Sequence, residues 1–112
     1  MPTISWNDFE KIEIRSGTII EVKDFPKARK PAYELWIDFG PEIGIKRSSA
    51  QITAHYKMED LVNRSVVAVI NFPSKQIADF ISECLVLGIY DTNNDVILLK
   101  PDKPVQNGQR IG

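Results

Sequence analysis

The stretch from Tyr33 to Thr53 constrains the fold more than any other. Tyr33, Leu35, Ile37 and Phe39 alternate with Glu34, Trp36 and Asp38. A period of two puts alternate side chains on opposite faces, which is the pattern of a half-buried strand and not of a helix. Gly40-Pro41-Glu42 interrupts it, since proline donates no ladder hydrogen bond and glycine takes tight-turn dihedrals. Ile43-Gly44-Ile45-Lys46 restarts the pattern, so the stretch predicts a hairpin. It ends in Arg47-Ser48-Ser49-Ala50-Gln51, where cations, small hydroxyls and an amide meet at a strand end, a cluster suited to binding.

The other apolar runs add strands around this hairpin. Lys11–Val22 predicts a long first strand, with Ile12, Ile14, Ile20 and Val22 on one face and Ile19 on the other. Gly17 inside it suggests a bulge or sharp bend, which closing a small barrel requires. Ser65–Phe72 is almost wholly apolar and β-branched, a central strand buried on both faces. Cys84–Tyr90 reads as another strand, paired with Val96–Leu99 across the Asn- and Asp-rich turn Asp91–Asp95. Gln51–Leu61 holds a short helix with Ile52, Tyr56 and Leu61 facing inward, and Ser74–Phe80 predicts a helical turn anchored by Ile77 and Phe80. Ser5 with Asp8 three residues on is a capping-box signal for a single turn carrying Trp6 and Phe9. Those two aromatics dock either on the domain or on a second subunit. Val105 and Ile111 suggest that the tail, Pro101–Gly112, is strapped down. The sum is an all-β domain over residues 1–112: a five-stranded Greek-key OB-fold barrel with a short helix between strands three and four, plus N- and C-terminal extensions.

Composition narrows function mainly by exclusion. A chain of 112 residues with net charge −1 is one domain by size and is no general nucleic-acid sponge. Any RNA binding needs a local basic patch. Cys84, the one cysteine, lies in an apolar run and reads as a core residue; one cysteine builds neither a disulfide framework nor a four-ligand metal site. His55, the one histidine, has no metal-ligand partner at suitable spacing in the sequence and reads as a surface or capping residue. There is no phosphate loop, GxSxG elbow or HExxH. The expectation is a non-enzyme with no cofactor and no metal. No run approaches the ~20 apolar residues of a membrane helix, and the N-terminus has no signal-peptide pattern, so a cytoplasmic location without membrane insertion is expected. Lys27, Arg29 and Lys30, in the loop Asp24–Pro31, read either as solvated surface or as ligand-facing cations.

Ile14-Arg15-Ser16-Gly17-Thr18-Ile19 resembles the opening strand of the tRNA-binding OB domains that are fused to methionyl- and phenylalanyl-tRNA synthetases and occur in EMAP-II-like proteins. The resemblance continues through Asp38-Phe39-Gly40, Arg47-Ser48-Ser49-Ala50, Val66–Phe72 and Ser82-Glu83-Cys84-Leu85. The Phe9–Gly17 start, Ile43–Thr53, Val69–Pro73, Ser82–Gly88 and the Pro104–Gly108 tail are similar to the CsaA-type branch, the export-related chaperones of that family. This resemblance implies a homodimer extended by its terminal segments, with Trp6, Phe9, Val105 and Ile111 in the interface. Its implied partners are unfolded polypeptides or preproteins, the export machinery and tRNA. The loop Pro73–Phe80 carries one lysine against one aspartate, where tRNA-binding relatives carry more basic residues.

Two functions then compete for one set of residues. As a peptide site, Ser48, Ser49, Gln51 and Asn71 would hydrogen-bond an extended backbone, Phe72 and Trp36 would supply apolar contact, and Lys46 and Arg47 would favour acidic segments; Ser82 and Glu83 complete the cluster. As a single-stranded RNA or tRNA site, Lys27, Arg29, Lys30, Lys46, Arg47 and Lys75 would line a basic groove, with Trp36 or Phe72 stacking on bases. Structural roles stand beside both: Phe72 in the core, Ser48 and Ser49 as helix caps, and Glu83 paired to Arg47.

Overall fold

In the computed structural model, which describes residues 1–112, the alternating stretch forms β2 (Tyr33–Asp38), and β3 (Ile45–Ala50) returns antiparallel to it. Leu35, Ile37 and Phe39 are buried as the alternation requires, and Tyr33 packs against the same core. The turn between the strands uses Gly40 and Gly44 at positive φ, 91° and 86°, a conformation that glycine alone adopts freely.

β1 (Ile14–Asp24) serves two neighbours. Its second half pairs with β2, and its first half pairs with β4 (Ser65–Val69), both antiparallel. Between them the register shifts at Ile19/Glu21, leaving Ile20 as the extra residue of a bulge. This corrects the expected facing. Ile19 is in the core, Ile20 is 41% exposed, Ile12 is exposed, and only beyond the bulge does Val22 return to the core. Gly17 plays a separate role. A Cβ there would meet Ile37 Cγ2 and Phe39 Cδ1 at 2.8 Å, so its bare backbone admits the core side chains of β2.

The five-stranded sheet runs β3-β2-β1-β4-β7, with β7 at Leu85–Val86. It curls into a nearly closed antiparallel OB-fold barrel. α2 (Met58–Leu61) stands between β3 and β4 and inserts Leu61, and the expected inward residues Ile52 and Tyr56 pack on the same core. β4 is buried at Val66, Val67, Ala68 and Val69. At the N-terminus α1 (Trp6–Glu10) has the expected capping box between Ser5 and Asp8.

Three expectations are revised. Ser74–Phe80 is not helical. β5 (Lys75–Ile77) and β6 (Phe80–Ser82) form a hairpin whose turn holds Ala78 at φ 53°. Its anchors are as expected: Phe80 is buried with Phe25 and Ala32, and Ile77 packs beside them. Cys84–Tyr90 is not one strand. β7 pairs with β4, and after Leu87 the chain leaves it as β8 (Gly88–Tyr90), pairing with β9 (Val96–Leu98). The tail is strapped down, but through hydrogen bonds and not through the side chains of Val105 and Ile111, which are exposed. Ser16 N–H donates to the Gln109 carbonyl (2.9 Å), and Gly108 and Ile111 N–H donate to the carbonyls of Ser16 (2.8 Å) and Ile14 (2.9 Å). Ser16 Oγ donates to the Gln106 carbonyl and accepts from Gln109 N–H. The tail thus occupies the edge of β1 that β2 leaves free.

No helix is long and apolar enough to cross a membrane.

Candidate functional site

β3 and β7 are the two ends of the sheet and do not pair with each other. The barrel is bridged there by the segment just before β7. Glu83 N–H donates to the Arg47 carbonyl at 2.7 Å. Arg47 N–H and Nε donate to Glu83 Oε1 at 3.1 and 3.4 Å, and Ser49 N–H donates to Ser82 Oγ at 3.1 Å. Four of the sequence-predicted residues are therefore brought together, and they satisfy one another. The Arg47 guanidinium also lies 5.5 Å from the centre of the Phe80 ring, a cation–π distance.

The remaining predicted residues divide. Ser48 is 1% exposed and faces the barrel interior beside Cys84. Burial there, reinforced by the Glu83 charge, pushes the Cys84 thiol up to about 12, so it is a neutral core group. Lys46 is half-buried at the other end of β3. Trp36 stands on the outer face of β2, edge-on to Phe80 at 5.8 Å, with Lys23 over its ring. Asn71 is drawn away from the site. Its Oδ1 accepts from Glu13 N–H and its Nδ2 donates to the Lys11 carbonyl, so it clamps the chain entering β1.

Three concavities surround the seam. One, about 480 Å³, is walled by Phe72, Pro73 and Leu85, with Lys75, Ser82 and Glu83 at its sides. Phe72 is 53% exposed and belongs to this wall, not to the core. A second, about 540 Å³, lies between the loop after β1 and the β5–β6 hairpin, and Lys27, Arg29, Lys30 and Lys75 meet Ser49 and Gln51 there. The loop cations are thus at a cleft, but Lys27 is already bound to Asp79 at 2.8 Å. That hydrogen bond raises the Lys27 pKa and lowers that of Asp79. On the outer face of β2, burial and then the Asp79 charge raise the Glu34 pKa. The third cleft, about 400 Å³, is lined by no charged side chain; Ser49, Gln51, Ile52, Leu85, Val86 and Tyr90 are among its walls. Leu85, Val86 and Tyr90 were missed by sequence reasoning because Cys84–Tyr90 reads as one continuous strand. The only signal was Gly88, where that strand divides.

His55 finds a partner that sequence spacing hides. Its Nε2 lies 2.7 Å from Asp91 Oδ2, 36 residues away. Asp95 completes a group whose ligand-type atoms lie within 4.8 Å of one another. Asp91 Oδ1 accepts from Asn93 and Asp95 N–H, so the carboxylate is fully engaged in fixing its turn and tying it to His55. The terminal aromatics form a separate patch. Trp6 is 69% exposed, lies 5.6 Å from Phe9 between ring centres, and shares a hollow with Ile4 and Gly112.

Residues 14–110 match the tRNA binding domain family. The chain belongs to that family. Methionine–tRNA ligase of Pyrococcus abyssi is 38% identical over 108 residues, which is 96% of this chain and 14% of that protein. The chain thus spans about a seventh of the curated relatives' length. Among solved structures, the CsaA chaperone protein of Picrophilus torridus superposes with TM-score 0.92 at 55% identity, covering 98% of this chain and all (100%) of that one. Chaperone CsaA of Bacillus anthracis gives 0.93 at 46%, covering 99% and 100%. Within the tRNA binding domain family the chain falls with the CsaA proteins. These structural neighbours are chaperone proteins, not catalytic ones.

Proposed function

We propose that this protein is a non-enzymatic, cytoplasmic chaperone that holds unfolded or preprotein segments, acts in protein export, and works as a homodimer. The observation that carries the reading is the uncharged cleft beside the seam, whose apolar walls and polar groups suit polypeptide and whose lining has no cation to neutralise a phosphate. Its similarity to the CsaA chaperones supports the same conclusion. The exposed Trp6, Val105 and Ile111, with the half-buried Phe9, are the proposed dimer surface.

A second reading, binding of tRNA or single-stranded RNA, is favoured by Lys27, Arg29, Lys30 and Lys75 at the neighbouring cleft and by the family match. A salt titration separates the two. Binding of a reduced, alkylated unfolded protein should change little or strengthen as salt rises. Binding through several phosphates should weaken linearly in log salt. Tight tRNA binding at physiological salt, with no binding of the unfolded protein, would exclude the chaperone reading. Sedimentation at micromolar concentration tests the dimer, and Trp6→Ala with Phe9→Ala should weaken it.

A further inference from the structure

We propose that the seam binds extended polypeptide by main-chain pairing: the captured segment adds as a short strand to the edge that continues β3 beyond Ser49, with its side chains on the walls of the uncharged cleft. This deepens the chaperone reading and rests on it.

Strand pairing fixes where backbone groups point. In an antiparallel pair, alternate residues direct their N–H and C=O toward the partner strand, and the residues between direct them away. Phe39 N–H donates to the Gly44 carbonyl. With the register Ile37↔Lys46, Leu35↔Ser48 and Tyr33↔Ala50, it follows that Lys46, Ser48 and Ala50 face β2. Arg47, Ser49 and Gln51 therefore face the seam. Arg47 is closed by Glu83, and the Ser49 N–H by Ser82. Beyond them, neither N–H nor C=O of Gln51 has a backbone partner. On the opposite wall, Leu87 N–H donates to the Val67 carbonyl, so by the same alternation Val86 turns its backbone groups away from β4. The two walls thus present strand edges that the sheet leaves unpaired.

Proteins usually guard such edges with charge, proline or a bulge, because a bare edge recruits other chains. This one has no such guard in its own residues, and the nearest cations, Lys27, Arg29, Lys30 and Lys75, sit in the neighbouring cleft. Ser48–Thr53 contains no charged residue and no proline, and neither does Cys84–Tyr90. Beside it Leu85 is 47% exposed, and Ile89 and Tyr90 are exposed too. An extended backbone matches the unpaired polar groups, and its alternate side chains match the apolar walls, whatever the client's sequence. Main-chain recognition also explains how a site can accept many sequences without a charged anchor.

The test is a backbone N-methyl scan of an uncharged, unstructured octapeptide rich in Val, Leu, Ser and Thr, with affinity read by fluorescence anisotropy. Strand pairing uses the N–H of every second residue, so methylation should weaken binding by about tenfold or more at alternate positions and little between them. On the protein side, Gln51→Pro removes the edge donor and should also weaken binding. A scan without alternation, while the parent peptide binds, overturns main-chain pairing and leaves the chaperone reading standing. Failure of the parent peptide and of an unfolded protein to bind overturns both. If Gln51→Pro dissociates a dimer and leaves peptide affinity unchanged, the edge belongs to a second copy and the proposal falls. The scan uses the unmodified protein, so it decides the matter even if Gln51→Pro does not fold.

Discussion

Ser16→Ala should loosen the whole C-terminal strap. Ser16 is buried, and its hydroxyl both donates to the Gln106 carbonyl at 2.8 Å and accepts from Gln109 N–H at 3.0 Å. Alanine fits the space and removes both bonds. A net hydrogen bond contributes about 0.5–1.5 kcal/mol, and a buried donor left unpaired costs about 1–3 kcal/mol. Both bonds are only part-buried, so water recovers some of that cost, and the expected loss is about 2 kcal/mol. Urea denaturation should show the midpoint falling by about 1 M with an unchanged slope, and Tm should drop by about 10 °C. Hydrogen exchange should localise the effect, with the amides of Gly108 and Ile111, which donate to β1, exchanging faster than those of β4. A loss below about 0.5 kcal/mol, the range of ordinary surface substitutions, would refute the claim that the hydroxyl holds the tail.

Other substitutions separate structural from binding roles. Glu83→Ala should cost about 1–3 kcal/mol because it strands the Arg47 N–H, whereas Arg47→Met, which keeps that N–H paired and removes a partly exposed ion pair and the contact with Phe80, should cost about 1 kcal/mol by urea denaturation; equal costs would place the value in the guanidinium instead. The Cys84 thiol, pushed to about 12, should not react with iodoacetamide in the folded protein near neutral pH and should react freely in urea. The Asp91 carboxyl is held below its usual range, first by the Asp95 N–H and then by His55. Its stabilisation is therefore complete above the unfolded carboxylate pKa of about 3.9 and is lost as pH falls through the lowered folded value. Asp91→Ala should flatten that part of the acid limb in a pH series of denaturation midpoints. Glu34 has the opposite sign: its raised pKa means that its ionisation opposes folding, so Glu34→Gln should raise the urea midpoint at neutral pH, with the gain vanishing at low pH.

Strict local periodicity was the part of this fold most legible in the sequence. The alternation of Tyr33–Phe39 placed three buried residues and one partly buried residue correctly, because the period of two admits only one facing. β1 defeated the same reasoning because a single bulge reverses facing and leaves no mark in composition: Ile19 and Ile20 are chemically equivalent, and only pairing with β2 decides which is buried. Ser74–Phe80 was read as a helical turn because its apolar residues, Ile77 and Phe80, are three apart, a spacing that a tight hairpin with one left-handed residue also satisfies. At the site, proximity within β3 is legible and proximity across the seam partly so, since Ser82 and Glu83 fall in one cluster with Lys46–Gln51 and Glu83 is a natural partner for Arg47; the Ser49–Ser82 bond leaves no mark in the sequence. Asn71 was misassigned for an equally physical reason. Its side chain sits just after β4, where the nearest unsatisfied backbone belongs to Lys11 and Glu13.

The seam explains why the polar cluster after β3 looked like a binding site and yet is mostly occupied. An OB barrel must join its third strand to its last, and here a direct ladder is absent. One backbone bond, Glu83 N–H to the Arg47 carbonyl, remains, and side chains supply the rest: a carboxylate accepts from Arg47 N–H and a serine hydroxyl from Ser49 N–H. Such substitution works only where the segment before β7 runs beside β3, and it stops after Ser49. Past that point the same edge continues with Gln51, which has the cationic cleft on one side and Ile52, Leu85 and Val86 on the other. Closure and exposure are therefore consecutive segments of one strand edge. Strengthening the closure by extending the β3–β7 pairing would consume the backbone groups on which capture of an extended chain depends.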